Sequence, residues 1–303
     1  MNATPQASVV MSVYNGAPGL RATLDSVLGQ QGCDFELVVV NDGSVDESPA
    51  ILEGYAAADS RVRIIHQENA GLTRALIRGC ASARGEFIVR QDADDLSLPG
   101  RLREQCAFLA AHPEVVAVAS AIRFVAPGGE WLYDMQPPEV IDPLLDADSI
   151  RLPPMVVTAF RRDAYLKAGG FRETFTVAQD VDMWLRLLEL GPCRGLPEAH
   201  YQARMTEDGI TSRRRDEQVR LCRLAIECAR ERRAGRSDAV LLRSFVATPT
   251  HKRRGRTRTR AAFLYFIGSV LREREPAAAQ RYFRMALRDN PLHLKAFMRS
   301  LFG

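Results

Sequence analysis

Residues 87–99 read FIVRQDADDLSLP. The apolar run Phe87-Ile88-Val89 stops, and Asp92, Asp94 and Asp95 follow within four positions. Carboxylates this close repel one another, so something must offset their charge. One reading is a polar turn to solvent, with Asp95 capping the next helix. The other is a divalent cation, for which hard oxygen ligands are the natural donors.

The same grammar runs upstream. Ser8 to Tyr14 (SVVMSVY) is a short apolar strand that ends in the turn Asn15-Gly16, and Pro18 suits the first turn of a helix. Leu20, Leu24, Val27 and Leu28 follow at helical spacing. Phe35 to Val40 is a second apolar strand, closed by Asn41-Asp42-Gly43-Ser44. A helix over 48–58 buries Ile51, Leu52 and Tyr55, and Val62 to Ile65 forms a third strand. Leu72, Ala75, Leu76, Gly79 and Cys80 make the next helical stripe, and Phe87 to Val89 the fourth strand. Strands apolar on both faces, alternating with helices, predict an α/β fold with a mostly parallel sheet covered on both faces. Ligands of such sheets sit beyond the carboxyl ends of the strands. Three polar loops leave those ends, at 14–16, 41–46 and 91–95.

Further on, Val115 to Val125 is a long strand candidate and Pro127-Gly128-Gly129 a turn. Residues 137–154 are proline-rich and read as irregular. Gly169-Gly170-Phe171 precedes a helix over Val181 to Leu190, with Val181, Trp184, Leu185 and Leu188 on one face. Residues 277–302 resemble one unit of a helical-repeat hairpin. Charge divides the chain: residues 1–200 hold 17 Lys and Arg against 27 Asp and Glu, and residues 201–303 hold 24 against 10. The expected organisation is a domain over 1–212 and a basic helical C-terminal extension over 213–303.

At 303 residues, 46% hydrophobic and 26% charged, the composition is that of a soluble globular chain. The six cysteines are scattered and the five histidines do not cluster, which argues against zinc and for reduced thiols in the cytoplasm. MNATPQ has neither the basic start nor the apolar run of a leader, and no apolar run reaches membrane-span length.

Five segments follow one another in order: SVVMSVYNG, ELVVVNDGSVD, NAGLTRAL, GEFIVRQDADDLSLPGRLREQ and GGFRETFTVAQDVDMWLRL. Together, over about residues 8–212, they resemble the family-2 inverting glycosyltransferases that use nucleotide-diphospho-sugars. The resemblance implies the GT-A fold, which is Rossmann-like, and a UDP- or dTDP-sugar donor. It also implies a divalent metal (Mn²⁺ or Mg²⁺) and a glycan or lipid-linked acceptor, as in cell-surface polysaccharide biosynthesis. Asp92-Ala93-Asp94 matches the family's Asp-any-Asp motif, with Asp94 on the metal and Asp92 on the ribose or a metal-bound water. Asp42 matches the aspartate that binds the base; an Asx turn is the competing reading. Asp46 stands between a nucleotide role and a helix cap, Tyr14 between base contact and core, and Arg74 between the diphosphate and a solvated helix face. Asp180 matches the general base, which takes the acceptor's proton, with Asp182 as its competitor and Trp184 as core.

Two departures stand out. Gln179 precedes Asp180 where relatives usually carry Glu. The usual Arg-any-His signature is replaced by YQARMTEDGITS, which puts Arg204 or Thr206 at the histidine position. The basic clusters Arg213 to Arg220 and His251 to Arg260 read as peripheral contact with an anionic membrane or as a solvated face. Nucleic acid is not expected, for want of interleaved aromatics. The rival functions are a catalytically silent nucleotide-sugar-binding or scaffold protein and a sugar nucleotidyltransferase. The latter fits less well, because NGAPGLR after Tyr14 is not a dense glycine and basic phosphate loop. A dinucleotide oxidoreductase would need the Gly-any-Gly-any-any-Gly fingerprint after the first strand.

Overall fold

The structure, a computed structural model, describes residues 4–142, 152–206, 214–245 and 256–302. Strand β1 (Ala7–Val13) lies between β2 (Phe35–Asp42) and β4 (Phe87–Asp92), with β3 (Val62–Gln67) outside β2, and these four strands are parallel. The register sets Val10 between Val38 and Arg90.

The connections explain why both faces are covered. From β1 the chain steps outward twice through α1 (Ala17–Leu28) and α2 (Ser48–Ala58), then returns past β1 through α3 (Leu72–Ser82). Right-handed crossovers in opposite directions put helices on opposite faces. Alternate strand residues Val9, Met11, Leu37, Val39 and Val89 pack with Leu20, Leu24, Ile51 and Leu52, joined by Leu102 and Cys106 of α4 (Arg101–Ala111). On the other face α3 seats closely: a Cβ on Gly79 would lie 2.6 Å from Val10 Cγ1 and 3.2 Å from Val40 Cγ2. The reversal of direction makes β1 and β4 a topological switch point, where a crevice opens at the carboxyl ends.

Beyond β4 the sheet turns antiparallel through β8 (Thr158–Arg161) and β6 (Ala117–Val125). Strand β9 (Cys193–Arg204) pairs with the short β5 (Leu96–Ser97), setting Tyr201 opposite Ser97 just after the acidic turn. Helix α5 (Arg162–Lys167) follows β8, and α6 spans Gln179–Leu187. Helix α6 starts two residues before the expected Val181, because Ala178 takes a left-handed conformation (φ 57°) and ends the preceding loop. Asp180 therefore lies in the first helical turn.

The chain forms two compact units. The first comprises Met1–Ile122, Asp134–Ala203 and Asp216–Val246, and so includes most of α7 (Arg215–Arg233) and α8 (Ala239–Ser244). The second comprises Arg123–Tyr133, Arg204–Arg215 and Ala247–Gly303. Its core gathers Leu264, Ile267 and Leu271 of α9 (Arg256–Leu271) with Tyr282 and Phe283 of α10 (Pro276–Asp289), Ala296 of α11 (Leu294–Phe302) and Leu132 of β7 (Trp131–Met135). Glu130 holds this core's turn: it accepts from Tyr282 Oη at 3.0 Å and pairs with Arg281. Residues 143–151 of the irregular segment, 207–213 of YQARMTEDGITS and the first basic cluster, and 251–255 of the second basic cluster lie outside the described residues.

Gly79→Val should destabilise the fold by about 1–3 kcal/mol through overpacking. The check is a lower denaturant midpoint at unchanged m-value. An unchanged midpoint would mean that α3 does not sit this close to the sheet.

Candidate active site

The loops that leave β1, β2 and β4 meet at one edge of the sheet. Asn15 adopts a left-handed conformation (φ 52°), and its Oδ1 accepts from Val45 N at 2.9 Å. In return the loop after β2 takes three successive amides: Asn15 N donates to Ser44 Oγ (3.0 Å), Gly16 N to Ser48 Oγ (3.0 Å) and Ala17 N to Asp46 Oδ2 (3.1 Å). Asp46 Oδ1 also accepts from Ser48 N at 2.9 Å. Its carboxyl is held below the usual range: burial pushes it up, but the Ser48 and Ala17 bonds outweigh that. Asp46 is thus engaged at the start of α2 and in joining two loops. Tyr14 is 55% exposed at the strand end, so its ring is not a core ring.

Asp42 ends β2 and is almost fully buried. Oδ1 accepts from Gln67 Nε2 (2.6 Å) and Ala70 N (2.8 Å), and Oδ2 from Gly71 N (2.9 Å). The neighbouring Asn41 makes the local side-chain bond of this turn, accepting from Ser44 N, three residues on, at 3.1 Å. A carboxylate has about four acceptor sites. Three bonds leave room for one more donor, on Oδ2.

The acidic turn after β4 rests on buried polar groups. Gln91 is fully buried, and its Nε2 donates to the carbonyls of Asp92 (2.9 Å) and Asp95 (3.1 Å). Gln91 Oε1 accepts from Ser97 Oγ and Arg101 Nη1, both at 2.8 Å. Arg101 is wholly buried, donates on to the Arg90 and Val156 carbonyls, and stacks over the Tyr201 ring at 4.6 Å. Burial lowers its pKa to about 10, so it remains a cation at neutral pH. Arg90, also buried, pairs with Asp92 Oδ1. Burial opposes the Arg90 charge, but Asp92 outweighs it and holds the guanidinium above its ordinary pKa. Asp92 N donates to Tyr201 Oη at 3.1 Å.

The three carboxylates have separate surroundings. Asp95 is buried, Asp92 half-buried and Asp94 exposed. Asp94 packs beside α1, where a Cβ on Gly19 would come 3.4 Å from Asp94 Cα. The expectation that Asp95 caps the next helix is corrected. Helix α4 begins at Arg101, its cap is Gly100, and no side chain bonds there. The short strand β5 intervenes, so Asp95 lies too far upstream.

Asp180 and Asp182 share α6 but differ in environment. Asp182 is fully buried and both oxygens are held, by Arg172 and by Arg186, whose Nη2 lies at 2.5 Å. Arg172 also bonds Asp238 at 2.7 Å, anchoring α6 to the start of α8. This leaves Asp182 a structural ion. Asp180 is half-buried, and its Oδ1 accepts from Val181 N at 2.9 Å. Its pKa is raised, chiefly by burial, against the pull of the Val181 amide and the Arg90 charge; Asp92 also pushes it up. The Arg90–Asp92 pair therefore acts electrostatically on Asp180. The loop before α6 also reaches α3: Thr73 Oγ1 donates to Phe175 O at 2.7 Å, and Arg74 pairs with Glu173 at 2.9 Å, both side chains exposed. Trp184 is core, with Nε1 bonded to Pro153 O at 2.7 Å.

In the register, Asp92 lies opposite Ser12 and Asn41 opposite Val13. Asp42 and Asp92 thus flank β1 at one end, two strand spacings apart across the sheet and two residues apart along it, roughly 12 Å in all. Arg90, Arg101, Gln91 and Tyr201 were not singled out from sequence. A charged residue in the strand FIVRQD was a signal for Arg90. Tyr201 carried none, because strand pairing alone brings it to the turn.

Among the described residues no three His, Cys, Asp or Glu side chains cluster as a metal site. Asp92 and Asp94 provide two hard oxygen donors. That fits a cation of the magnesium type, which takes one or two carboxylates and completes its shell with phosphate oxygens and water.

Residues 8–168 match the family described as Glycosyl transferase family 2. The chain is 33% identical over 223 residues to EpsE of Bacillus subtilis (strain 168), covering 70% of this chain and 78% of EpsE. It is 31% identical over 218 residues to the amylovoran biosynthesis glycosyltransferase AmsE of Erwinia amylovora, covering 68% of this chain and 79% of AmsE. Residues 1–349 of S. aureus TarS, crystallised with UDP-GlcNAc, share the fold with TM-score 0.58 and 18% identity, over 98% of this chain and 88% of that one. With more than half its length matched and the strand-end loops assembled as described, this chain belongs to glycosyltransferase family 2, on an α/β fold of the GT-A type.

Proposed function

We propose that the chain transfers a sugar from a UDP- or dTDP-sugar to a glycan or lipid-linked acceptor in polysaccharide biosynthesis, in one displacement with inversion. The observation that supports this reading is the gathering of the three strand-end loops over the Arg90–Asp92 pair, with Asp180 in the first turn of α6 and its proton affinity raised chiefly by burial. The biosynthetic setting follows the name of AmsE, and the donor class follows the sugar nucleotide bound to TarS.

In the proposed reaction Asp180 accepts the proton of the acceptor hydroxyl. That oxygen forms a bond to the anomeric carbon as the carbon–oxygen bond to the diphosphate breaks on the opposite face. The nucleoside diphosphate leaves with the electron pair. Raised proton affinity suits Asp180 to this role, because a base works best when its pKa approaches the working pH. Asp42 offers Oδ2 to a donor group of the base, with Tyr14 beside it, and Arg74 offers positive charge near the diphosphate. A divalent cation, when bound, would be held by Asp94, with Asp92 on the ribose or a metal-bound water, and would offset the diphosphate charge as a Lewis acid.

Asp94→Ala and Asp180→Asn should each reduce transfer by about 10²–10⁴-fold while circular dichroism stays unchanged. Normal turnover of purified Asp180→Asn would remove that residue from the chemistry. Asp180 must be ionised to act, so kcat/KM should rise with pH, with its acidic limb above the ordinary aspartate value of about 3.9. The sign for stability is opposite. A raised folded-state pKa favours the protonated folded form, and that contribution is lost as pH rises through it. Asp180→Asn should therefore melt higher than the parent at neutral pH, and an equal or lower Tm would contradict the burial of this charge. Finally, a screen of UDP- and dTDP-sugars with Mn²⁺ should give one donor whose stabilisation falls on adding a chelator. At a hundredfold excess over Kd the gain is about 2.7 kcal/mol. No stabilisation by any sugar nucleotide would sink the donor assignment.

A further inference from the structure

We propose that the outward face of α11, with the cations beside it, docks on an anionic lipid bilayer. At about 3.6 residues per turn, Leu294, Phe297 and Met298 share one side of this helix. All three are exposed, Leu294 at 76% and Met298 at 55%, and Leu292 just before the helix is 84% exposed. Ala296, on another side, is fully buried in the core of the second unit. Among the side chains described, the helix thus buries Ala296 in its unit and turns Leu294, Phe297 and Met298 to water, the reverse of an ordinary surface helix.

Charge names the occupant. Lys295 and Arg299, four residues apart, flank the apolar stripe and are exposed, as are Arg284 and Arg288 on α10. Residues 247–303 hold 13 Lys and Arg against 3 Asp and Glu. Tyr265, Leu294 and Met298 line a groove of about 570 Å³, together with Lys295 and Arg299. Hydrocarbon floor and cationic rim together match a lipid with a negatively charged headgroup, which presents both in one molecule. An apolar protein partner would be met by the stripe but not by the surplus of positive charge. No described helix is long and apolar enough to cross a membrane, so the contact is interfacial, with the stripe at the headgroup boundary.

The inference does not rest on the donor chemistry, since vesicle binding needs no sugar nucleotide. The full chain is sedimented with vesicles of equimolar phosphatidylglycerol and phosphatidylcholine, and with phosphatidylcholine alone. Binding to the first and not the second is expected. The triple variant Leu294→Ser, Phe297→Ser, Met298→Ser should lose that binding by about tenfold or more, and so should Lys295→Glu with Arg299→Glu. Should the triple variant unfold, Phe297→Trp replaces it: its emission should shift to the blue on phosphatidylglycerol vesicles and stay put on phosphatidylcholine. No binding to anionic vesicles, undiminished binding by the folded triple variant, or no blue shift overturns the proposal. So does light scattering that shows a dimer dissociated by the triple variant, because a second copy would then cover the face.

Discussion

Two guanidiniums buried beneath the turn at 92–95 are the constraint on which the site depends. Arg90 neutralises Asp92 directly, and Arg101 anchors the loop through Gln91, Ser97 and two carbonyls. Burying a cation is costly unless its donors find partners, and four bonds from the two terminal nitrogens of Arg101 supply them, while its Nε has none among the described residues. That requirement fixes the backbone of the turn, because its carbonyls and amides belong to the same network. The side chain of Asp94 is left exposed while the chain that carries it is held rigidly. The cost of gathering three carboxylates is thus offset in part from below, inside the fold, where Arg90 pairs with Asp92.

The same field ties distant parts of the sequence together. Asp180 is 88 residues from Asp92 in the chain, yet the charges of Arg90 and Asp92 act on it. Helix α6 is fixed independently, through Asp182 and its two arginines. Neighbours on one helix thus differ in their surroundings, one carboxylate holding the helix and the other lying in the field of Arg90 and Asp92. Successive helical positions point in different directions, so a spacing of two separates them completely.

Much of this was legible in the residues. Apolar runs placed three of the four parallel strands within two residues, while the fourth runs on to Asp92, three residues past its apolar part, and the alternation with helices gave the layers. The polar loops at 14–16, 41–46 and 91–95 were visible because an apolar strand that ends in Asn, Asp or Gly marks its own end. What periodicity does not carry is long-range pairing. Nothing local says that Tyr201 lies against Ser97, or that the amides of Asp42's site belong to Ala70 and Gly71. Asp95 was read as a cap because acidic residues favour helix starts. The short strand β5 intervened, and two residues are too few to leave a periodic trace. The outward apolar face of α11 was hidden for a related reason, since periodicity shows a stripe but not the side on which the core lies.

The stitched loops at the head of α1 carry a consequence for how negative charge can be received there. The amides of Asn15, Gly16 and Ala17 already donate to Ser44, Ser48 and Asp46. In folds that grip phosphate by backbone alone, such amides point outward and await the ligand. Here that cradle is closed from within, by an aspartate whose own charge would turn an anion away. Under the proposed function, a diphosphate would have to find its counter-charge elsewhere, in side chains or in an ion that travels with it, so binding strength would follow the supply of cations rather than the shape of a loop.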